Sequence, residues 1–165
     1  MKQLKFITDG MLGKLTRWLR ILGHDVEYTG SMDDKELIQE AKKESRVLLT
    51  RDVELYRQAI AKGAEAFLIE DPKQTANLAS LAKRFKLKLE VNVKISHCPK
   101  CNGTIRIASK TEIADRIPVT TSSNYDEFWQ CQQCGQAYWR GAHWNRIERT
   151  LEEARKALAA HKADS

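Results

Sequence analysis

Short apolar stretches alternate with longer amphipathic stretches through residues 1–95 of the chain. Runs of apolar residues, or alternation of apolar and polar residues, predict strands over residues 4–9, 25–29, 46–50, 64–70 and 87–95. Apolar residues spaced three and four apart predict helices over residues 10–23, 33–45, 52–63 and 73–86. Asp34 is the predicted N-cap of the second helix. This alternation favours an α/β domain in which helices cover a parallel sheet.

Two aspartates follow predicted strands and precede predicted helices. Asp9 comes after the first strand and Asp52 after the third. Because the carboxyl ends of parallel strands form one ligand-binding edge, we expect both side chains at that edge. Carboxylates that converge there would suit Mg²⁺ or Mn²⁺. Aspartate is also a favoured helix N-cap, so capping is the alternative interpretation of Asp9, Asp52 and Asp34.

The first predicted helix carries a row of cations directly after Asp9. Lys14, Arg17 and Arg20 are spaced three residues apart, and Arg51 stands beside Asp52. A carboxylate next to such a row is typical of a metal site beside a phosphate-binding surface, but the row is also typical of a solvated helix face. By themselves these residues fit three classes of protein: a nuclease, a nucleotide-binding module and a receiver-like phosphoacceptor domain.

The chain contains four cysteines, arranged as two Cys-x-x-Cys pairs. They are Cys98, Cys101, Cys131 and Cys134. A two-residue gap lets both sulfurs of a turn reach one zinc ion, and each pair is followed by small turn-forming residues. We therefore predict one structural zinc in a ribbon, with four thiolates completing the site without His97 or His143. A redox dithiol is the alternative, but the pairs lack a thioredoxin-like context.

Aromatic and basic residues are mixed after the second cysteine pair. Tyr138, Trp139 and Trp144 are interleaved with Arg140 and Arg146. This mixture is typical of surfaces that stack on bases and hold phosphates, and equally of a seam packed against the first domain. We favour the seam for Trp139 and leave both interpretations open for Trp144. The Ala- and Glu-rich residues that follow predict a terminal helix.

Composition narrows the class of protein. Of the 165 residues, 42% are hydrophobic and 30% are charged, which is typical of one globular core with room for a small appendage. No apolar run approaches the roughly 20 residues that a bilayer span needs, so we predict no membrane partner. The first residues lack the apolar segment of a signal peptide, which favours the cytoplasm, where cysteines stay reduced.

The net charge of +6 permits a polyanionic partner. Residues 1–95 contain 18 Lys and Arg against 14 Asp and Glu, and residues 96–165 contain 10 against 8. One zinc ion bound by four thiolates would cancel the surplus of the second part. The surplus positive charge therefore belongs mainly to the first part.

The sequence contains, in order, the blocks "FITDGMLGKLTRWLRILGHDVEY", "DKELIQEAKKESRVLLTRDVEL", "CPKCNG" and "FWQCQQCGQAYWRGAHW". Together, from Phe6 to about Trp144, they resemble the Mut-seven-type C-terminal RNase domain family. The resemblance implies a PIN-like nuclease fold followed by a zinc ribbon. It also implies a metal-dependent ribonuclease that acts on RNA.

The same resemblance implies which acids hold the catalytic Mg²⁺ or Mn²⁺. Asp9 and Asp52 match the strand-end acids of the family, and Asp34 matches the acid that opens a helix. Asp33 directly precedes Asp34, so the alignment leaves the choice between them open. Asp71 is a weak candidate for a fourth acid.

These observations predict a PIN-like nuclease domain over residues 1–95, a zinc ribbon over 96–145 and a C-terminal helix over 146–165. The expected activity is hydrolysis of RNA phosphodiester bonds. The predicted phosphate-binding residues are Lys14, Arg17, Arg20 and Arg51. One alternative is a non-catalytic RNA-binding module that grips RNA through its basic face and its ribbon. Another is a protein-interaction adaptor whose acids only cap helices.

Overall fold

The computed structural model describes residues 3–163, and its first part alternates strands with helices. These elements are β1 (Lys5–Thr8), α1 (Gly13–Ile21), β2 (Asp25–Tyr28), α2 (Asp34–Lys43), β3 (Val47–Thr50), α3 (Val53–Ala61), β4 (Ala66–Leu68) and α4 (Gln74–Phe85). The second part contains β5 (Ile105–Ala108), a short 3₁₀ helix (Ala114–Arg116), α5 (Val119–Asn124), β6 (Phe128–Cys131), β7 (Ala137–Trp139) and α6 (Ala142–Ala163). The predicted terminal helix is present, although residues 164 and 165 lie outside the described residues.

The first four strands form one parallel sheet in the order β2-β1-β3-β4. Helices cover both faces, so the predicted α/β fold is confirmed. β2 lies on one side of β1, and the chain then crosses over so that β3 lies on the other side of β1. The strand order therefore reverses between β1 and β3. In parallel sheets, ligands bind in the crevice at such a reversal, outside the carboxyl ends of the strands.

Successive residues of each strand point to opposite faces of the sheet and enter two different cores. Phe6 and Leu49 belong to the larger core, with α1, α4 and α6, whereas Ile7 and Leu48 belong to the smaller core, with α2 and α3. All of β3 is buried, as expected for a parallel strand covered on both faces. Each fully buried side chain of this size contributes roughly 1.5–3 kcal/mol. The covered sheet thus provides a rigid platform for the loops at its edges.

The predicted strand over residues 87–95 is wrong, because this segment forms no strand within the described residues. Its alternation is real: Leu89 is buried, and Leu87 and Val91 pack partly buried against the larger core. The neighbour is a helix, since the Leu89 carbonyl accepts a hydrogen bond of 2.6 Å from Arg155 of α6. Alternating burial therefore marks an extended segment on an apolar surface rather than a member of a sheet.

The second part forms an antiparallel sheet, β5-β6-β7, and docks at the amino end of the parallel sheet. The Asn102 amide donates to the Asp25 carboxylate (2.8 Å) and accepts from the Val26 N–H (3.1 Å). Arg20 donates to the Pro99 carbonyl (3.1 Å). Because Asp25 and Val26 begin β2, the ribbon sits at the edge opposite to the carboxyl ends of the strands.

A buried charge network secures this amino-terminal edge. Arg46 is only 7% exposed, and it donates to the Asp25 carboxylate (2.9 Å) and to the Phe6 carbonyl (3.1 Å). Burial opposes ionisation of Asp25, but the hydrogen bonds from Arg46 and Asn102 outweigh it and hold the pKa of that carboxyl below its ordinary value. One carboxylate therefore ties the start of β3 to the ribbon.

His24 makes the stability of this fold depend on pH. Its ring packs edge-on against Phe6, with centroids 5.6 Å apart, and burial, aided by the charge of His97, lowers its pKa to about 4. The unfolded chain protonates histidine near pH 6.5. Stability is therefore full above pH 6.5 and decreases as the pH falls toward 4. We expect this group to cost up to about 3 kcal/mol over that interval, measured by denaturant unfolding.

The matched variant is His24→Gln, which keeps a polar side chain that does not titrate. Its unfolding free energy should depend less on pH in this interval than that of the wild-type protein. His161→Gln, at an exposed position of α6, should behave like the wild type. Equal pH dependence of His24→Gln and the wild type would contradict this role of His24.

Candidate functional site

Asp9 lies just beyond β1, at the carboxyl end of the parallel sheet. Its Oδ2 accepts a hydrogen bond of 2.6 Å from the Thr50 hydroxyl, and its Oδ1 accepts one of 3.0 Å from the Met11 N–H. The side chain is half-buried. Two donors from neighbouring segments therefore hold the carboxylate, and each oxygen retains a lone pair for a further ligand.

Thr50 joins Asp9 to Asp52. It is the last residue of β3 and is fully buried. Its hydroxyl donates to Asp9 and accepts a hydrogen bond of 3.0 Å from the Asp52 N–H. This hydroxyl thus connects the Asp9 carboxylate to the backbone of Asp52. Sequence reasoning missed Thr50, although a hydroxyl closing the apolar run "VLLT" is a signal that could have identified it.

Asp52 is the N-cap of α3. Its Oδ1 accepts hydrogen bonds from the Glu54 and Leu55 N–H groups at 2.9 and 3.2 Å. Its Oδ2 has no hydrogen-bond partner among residues 3–163, and the side chain is exposed. Capping and metal binding are therefore compatible uses of this carboxylate, because they involve different oxygens.

The prediction that Asp34 caps α2 is wrong, because Asp33 is the N-cap. The Asp33 carboxylate accepts from the Glu36 N–H at 2.8 Å, and the Glu36 carboxylate accepts from the Asp33 N–H. Asp33 has the extended backbone that an N-cap requires, whereas Asp34 is already the first residue of the helix. Asp34 is exposed. Within the described part of the chain its carboxylate accepts no hydrogen bond, so it is freer than Asp33 to bind a ligand.

Asp9, Asp34 and Asp52 do not form one converging group of metal ligands within residues 3–163. Among the described residues, the four cysteines are the one group of three or more metal-binding side chains whose ligating atoms all lie within 4.8 Å of one another. Magnesium commonly binds one or two protein carboxylates and completes its shell with water and substrate phosphates. Asp9 and Asp52 each keep carboxylate lone pairs that could serve as ligands of such an ion.

Two of the four predicted phosphate-binding cations are exposed on α1, namely Lys14 and Arg17. Arg51 is half-buried, and one of its guanidinium nitrogens donates to the Asp71 carbonyl at 3.0 Å. The Asp71 carboxylate itself accepts from the Lys73 N–H at 2.9 Å, in the turn before α4. The exposed cations therefore lie on the helix that follows Asp9, and Arg51 lies between Thr50 and Asp52.

Arg20 does not belong to this exposed set, and its predicted place on the basic face is wrong. It is 6% exposed. Its guanidinium donates to the Val26 carbonyl at 3.0 and 2.8 Å and to the Pro99 carbonyl at 3.1 Å. The side chain therefore fastens the ribbon to β2 instead of facing solvent.

The four cysteine sulfurs form one cluster, all within 4.8 Å of one another. The sulfurs of Cys98 and Cys134 are 3.7 Å apart, and those of Cys101 and Cys131 are 3.4 Å apart. Disulfide sulfurs are bonded at about 2.05 Å, so these are free thiols. A tetrahedral zinc ion with Zn–S bonds of about 2.3 Å separates its sulfurs by roughly 3.8 Å. The donor set and its spacing therefore fit zinc.

Both cysteine turns place a left-handed residue directly after their second cysteine. Asn102 has a φ of 71° and Gly135 a φ of 78°, and glycine and asparagine adopt this conformation most readily. At Gly103, a Cβ would lie 2.8 Å from the Cys131 sulfur and 3.1 Å from the Cys101 sulfur. The small residues noted in the sequence are thus required by the path of the backbone around the sulfurs.

The electrostatics of the cluster favour a bound cation. Burial opposes ionisation of Cys131, but the Cys134 and Gln133 N–H groups outweigh it and lower the pKa of that thiol to about 7. Burial and the neighbouring thiols raise the pKa of Cys101 to about 12. Thiolates so close together repel one another, and a bound cation removes that repulsion. The Tyr138 hydroxyl, 2.9 Å from the Cys98 sulfur, supports this ligand from outside the cluster.

A sequence model of the family described as the Mut7-C RNAse domain matches residues 4–151. The chain belongs to this family. The match begins before β1 and ends within α6. It therefore includes the cysteine cluster and the acidic edge, by which we mean Asp9 and Asp52 at the carboxyl ends of β1 and β3. Membership of the Mut7-C RNAse domain family indicates a ribonuclease-type function. No curated protein and no solved structure matches the chain. Within residues 3–163 of this Mut7-C RNAse domain, every helix is too short or too polar to cross a membrane.

Proposed function

We propose that the chain is a metal-dependent, PIN-like ribonuclease that hydrolyses RNA phosphodiester bonds at the Asp9–Asp52 edge. The observation that carries this proposal is the hydrogen-bonded series from Asp9 through Thr50 to Asp52. It links the Asp9 carboxylate to the backbone of Asp52 at the reversal of strand order, where parallel sheets bind ligands. Asp9 does not cap α1, because Leu12 is the N-cap of that helix, so capping does not account for its carboxylate. The Mut7-C RNAse domain family supports RNA as the substrate.

Asp9 and Asp52 would hold a Mg²⁺ or Mn²⁺ ion, with Asp34 approaching from the start of α2. Such an ion supplies an activated water nucleophile and neutralises the charge that develops on the phosphate during hydrolysis. Thr50 and the Met11 N–H fix the Asp9 carboxylate before substrate arrives, so less reorganisation accompanies the reaction. In-line attack on phosphorus would leave a 5′-phosphate and a 3′-hydroxyl.

Lys14, Arg17 and Arg51 would hold the phosphates next to the scissile bond, because these cations flank Asp9 and Asp52 along the chain. Zinc bound by the four cysteines is structural in this proposal, since four thiolates leave no position open for water. A reducing compartment such as the cytoplasm, which keeps thiols available to zinc, is the proposed location.

A non-catalytic RNA-binding module is the second candidate. It is favoured by the absence of a converging group of three acids within residues 3–163 and by the capping role of Asp52 Oδ1. Such a module would bind RNA through the basic face of α1 and the ribbon, with the carboxylates serving only the helices.

Incubation of zinc-loaded protein with end-labelled RNAs, single-stranded and structured, separates the two candidates. We expect cleavage with added Mn²⁺ or Mg²⁺ and none without a divalent ion, with 5′-phosphates on the new ends. Zinc alone should not support cleavage, because the cysteine site is closed. RNA binding without cleavage under every metal condition would reject the ribonuclease and leave the binding module.

A further inference from the structure

A cavity of about 380 Å³ lies between the first part of the chain, the ribbon and the start of α6. Ile105 and Trp129 line it from the ribbon sheet, and Val91 and Val93 line it from the extended segment after α4. His143 also lines it and is exposed, so the cavity opens to solvent. None of the residues at the acidic edge contributes to its walls. The cavity is therefore separate from the proposed catalytic site.

Its size suits one planar ring system. Small-molecule sites in proteins enclose roughly 300–1,000 Å³ and combine mostly apolar walls with a few polar groups. At about 380 Å³ this cavity is near the lower limit. It has room for a single base rather than for a folded segment of a second protein.

The wall chemistry favours a base over a purely apolar ligand. Four aromatic residues line the cavity: Trp129, Tyr138, Trp139 and Trp144. The polar lining residues include His97, Gln136 and His143, whose side chains can hydrogen-bond to the edge of a base. There is no carboxylate in the lining, so nothing there repels the phosphates of a nucleic acid. Trp139 also packs against Phe128 in the ribbon core.

Arg140 supplies a fixed positive charge beside this cavity. Its guanidinium lies over the rings of two lining residues, 5.5 Å from the Trp129 centroid and 4.9 Å from the Trp144 centroid. Across residues 3–163 no carboxylate forms an ion pair with it. An exposed cation that is held by aromatic rings and lacks an acidic partner is suited to a phosphate.

The cavity belongs to the opposite end of the molecule from the acids. The ribbon docks at Asp25 and Val26, where β2 begins, whereas Asp9 follows the end of β1. At roughly 3.3 Å per residue, the length of β1 alone separates the two edges by about 13 Å. A base in the cavity is therefore not the base at the scissile bond, but one further along the same strand.

We propose that this cavity binds one unpaired base of a single-stranded RNA, with Arg140 holding an adjacent phosphate. The proposal rests on RNA being the substrate and adds a second, distant contact to it. Stacking on an aromatic ring tolerates any base, because every base has a π-face. The cavity would therefore favour unpaired RNA over duplex without selecting a sequence.

The test compares a short single-stranded RNA with an abasic RNA of the same length, which keeps the phosphates and lacks the bases. Binding is measured by fluorescence anisotropy without added Mg²⁺ or Mn²⁺, so that cleavage does not interfere. We expect the wild-type protein to prefer the intact RNA and Trp144→Ala to lose roughly 5- to 150-fold in affinity for it. The affinity of Trp144→Ala for abasic RNA should be unchanged. Trp144→Leu, which refills the space without an aromatic face, should behave like Trp144→Ala and serves if the alanine variant fails to fold.

Arg140→Gln should weaken binding of both RNAs and lower the salt dependence by about one phosphate contact. The matched control is Arg106→Gln, an exposed arginine on the opposite face of β5 from Ile105, which should bind within about twofold of the wild type.

Retained preference for intact RNA in both Trp144 variants would overturn the proposal. If the same variants then lost a self-associated form in sedimentation, the cavity would be a contact between copies of this chain. If the protein cleaves RNA but the Trp144 variants bind it like the wild type, only the cavity proposal is rejected. If binding depends on Trp144 but no cleavage occurs, only the ribonuclease proposal is rejected.

Discussion

Asp52→Asn should abolish RNA cleavage while leaving the fold intact. Asparagine caps helices about as well as aspartate, and its one carbonyl oxygen can still accept from the Glu54 and Leu55 N–H groups. What the substitution removes is the negative charge on the oxygen that has no partner among the described residues. Loss of a metal-holding carboxylate costs several kcal/mol of transition-state stabilisation, so we expect the rate to fall by at least about 1,000-fold. The unfolding free energy should change by less than about 0.5 kcal/mol.

Asp9→Asn provides an informative contrast. Both Asp9 oxygens accept hydrogen bonds, from Thr50 and from Met11, and an amide offers only one accepting oxygen. We therefore expect a similar loss of cleavage together with about 1 kcal/mol of destabilisation. Asp115→Asn, an exposed change in the ribbon, is the control for the loss of a charge. Cleavage by Asp52→Asn at the wild-type rate, with unchanged dependence on Mn²⁺, would show that Asp52 only caps α3.

Cys131→Ser should release the zinc and destabilise the protein by several kcal/mol. A structural zinc contributes about 10–16 kcal/mol of binding free energy to the folded state, and a serine hydroxyl is a much weaker ligand than a thiolate. The ribbon core, with Phe128 and Ile113, is too small to hold its shape without the metal. The measurements are the zinc content per chain and the midpoint of denaturant unfolding.

The damage should extend beyond the ribbon. Arg20 is buried by its contact with Pro99, and Asn102 holds the Asp25 carboxylate. Unfolding of the ribbon would remove the hydrogen bonds to Pro99 and Asn102 and expose this edge of the first part to solvent. Arg20 would keep Val26, and Asp25 would keep Arg46, so the first part should be destabilised without unfolding. Gln132→Ser, an exposed change between the paired cysteines, should keep the zinc and the stability. Wild-type protein without zinc, or Cys131→Ser with one zinc and an unchanged midpoint, would contradict the assignment.

Local patterns in the sequence predicted the parts of the fold that depend on local physics. The strand ending in Thr50 is buried on both faces, and it reads as an apolar run for that reason. The cysteine cluster could also be predicted from the sequence, because the type of ligand and the geometry of each turn are set within a few residues. The strand prediction for residues 87–95 was wrong because alternation of apolar and polar residues indicates burial on one side. It does not indicate whether the neighbouring element is a strand or a helix.

The prediction that Arg20 lies on the exposed basic face was wrong for a reason that no local sequence pattern contains. Three residues advance a helix by 300°, so Lys14, Arg17 and Arg20 are offset by about 60° at each step and spread over about 120°. Arg17 faces solvent, while the flank that carries Arg20 is covered by the ribbon loop at Pro99. The partner is 79 positions away along the chain, and only the three-dimensional fold brings it there. The choice of Asp33 over Asp34 as N-cap was likewise a one-residue ambiguity.

The position of α6 has a consequence for the order in which the protein can fold during synthesis. Leu151 and Ala154 are both fully buried in the larger core, beside Leu15 of α1 and Leu78 of α4. The ribosome releases these last two core residues only after the four strands and the cysteine turns. Until then the part of α4 that packs against α6 has no cover, at elongation rates of about 5–20 residues per second. We infer a nascent chain that exposes this surface for seconds, and a chaperone would find its binding site there.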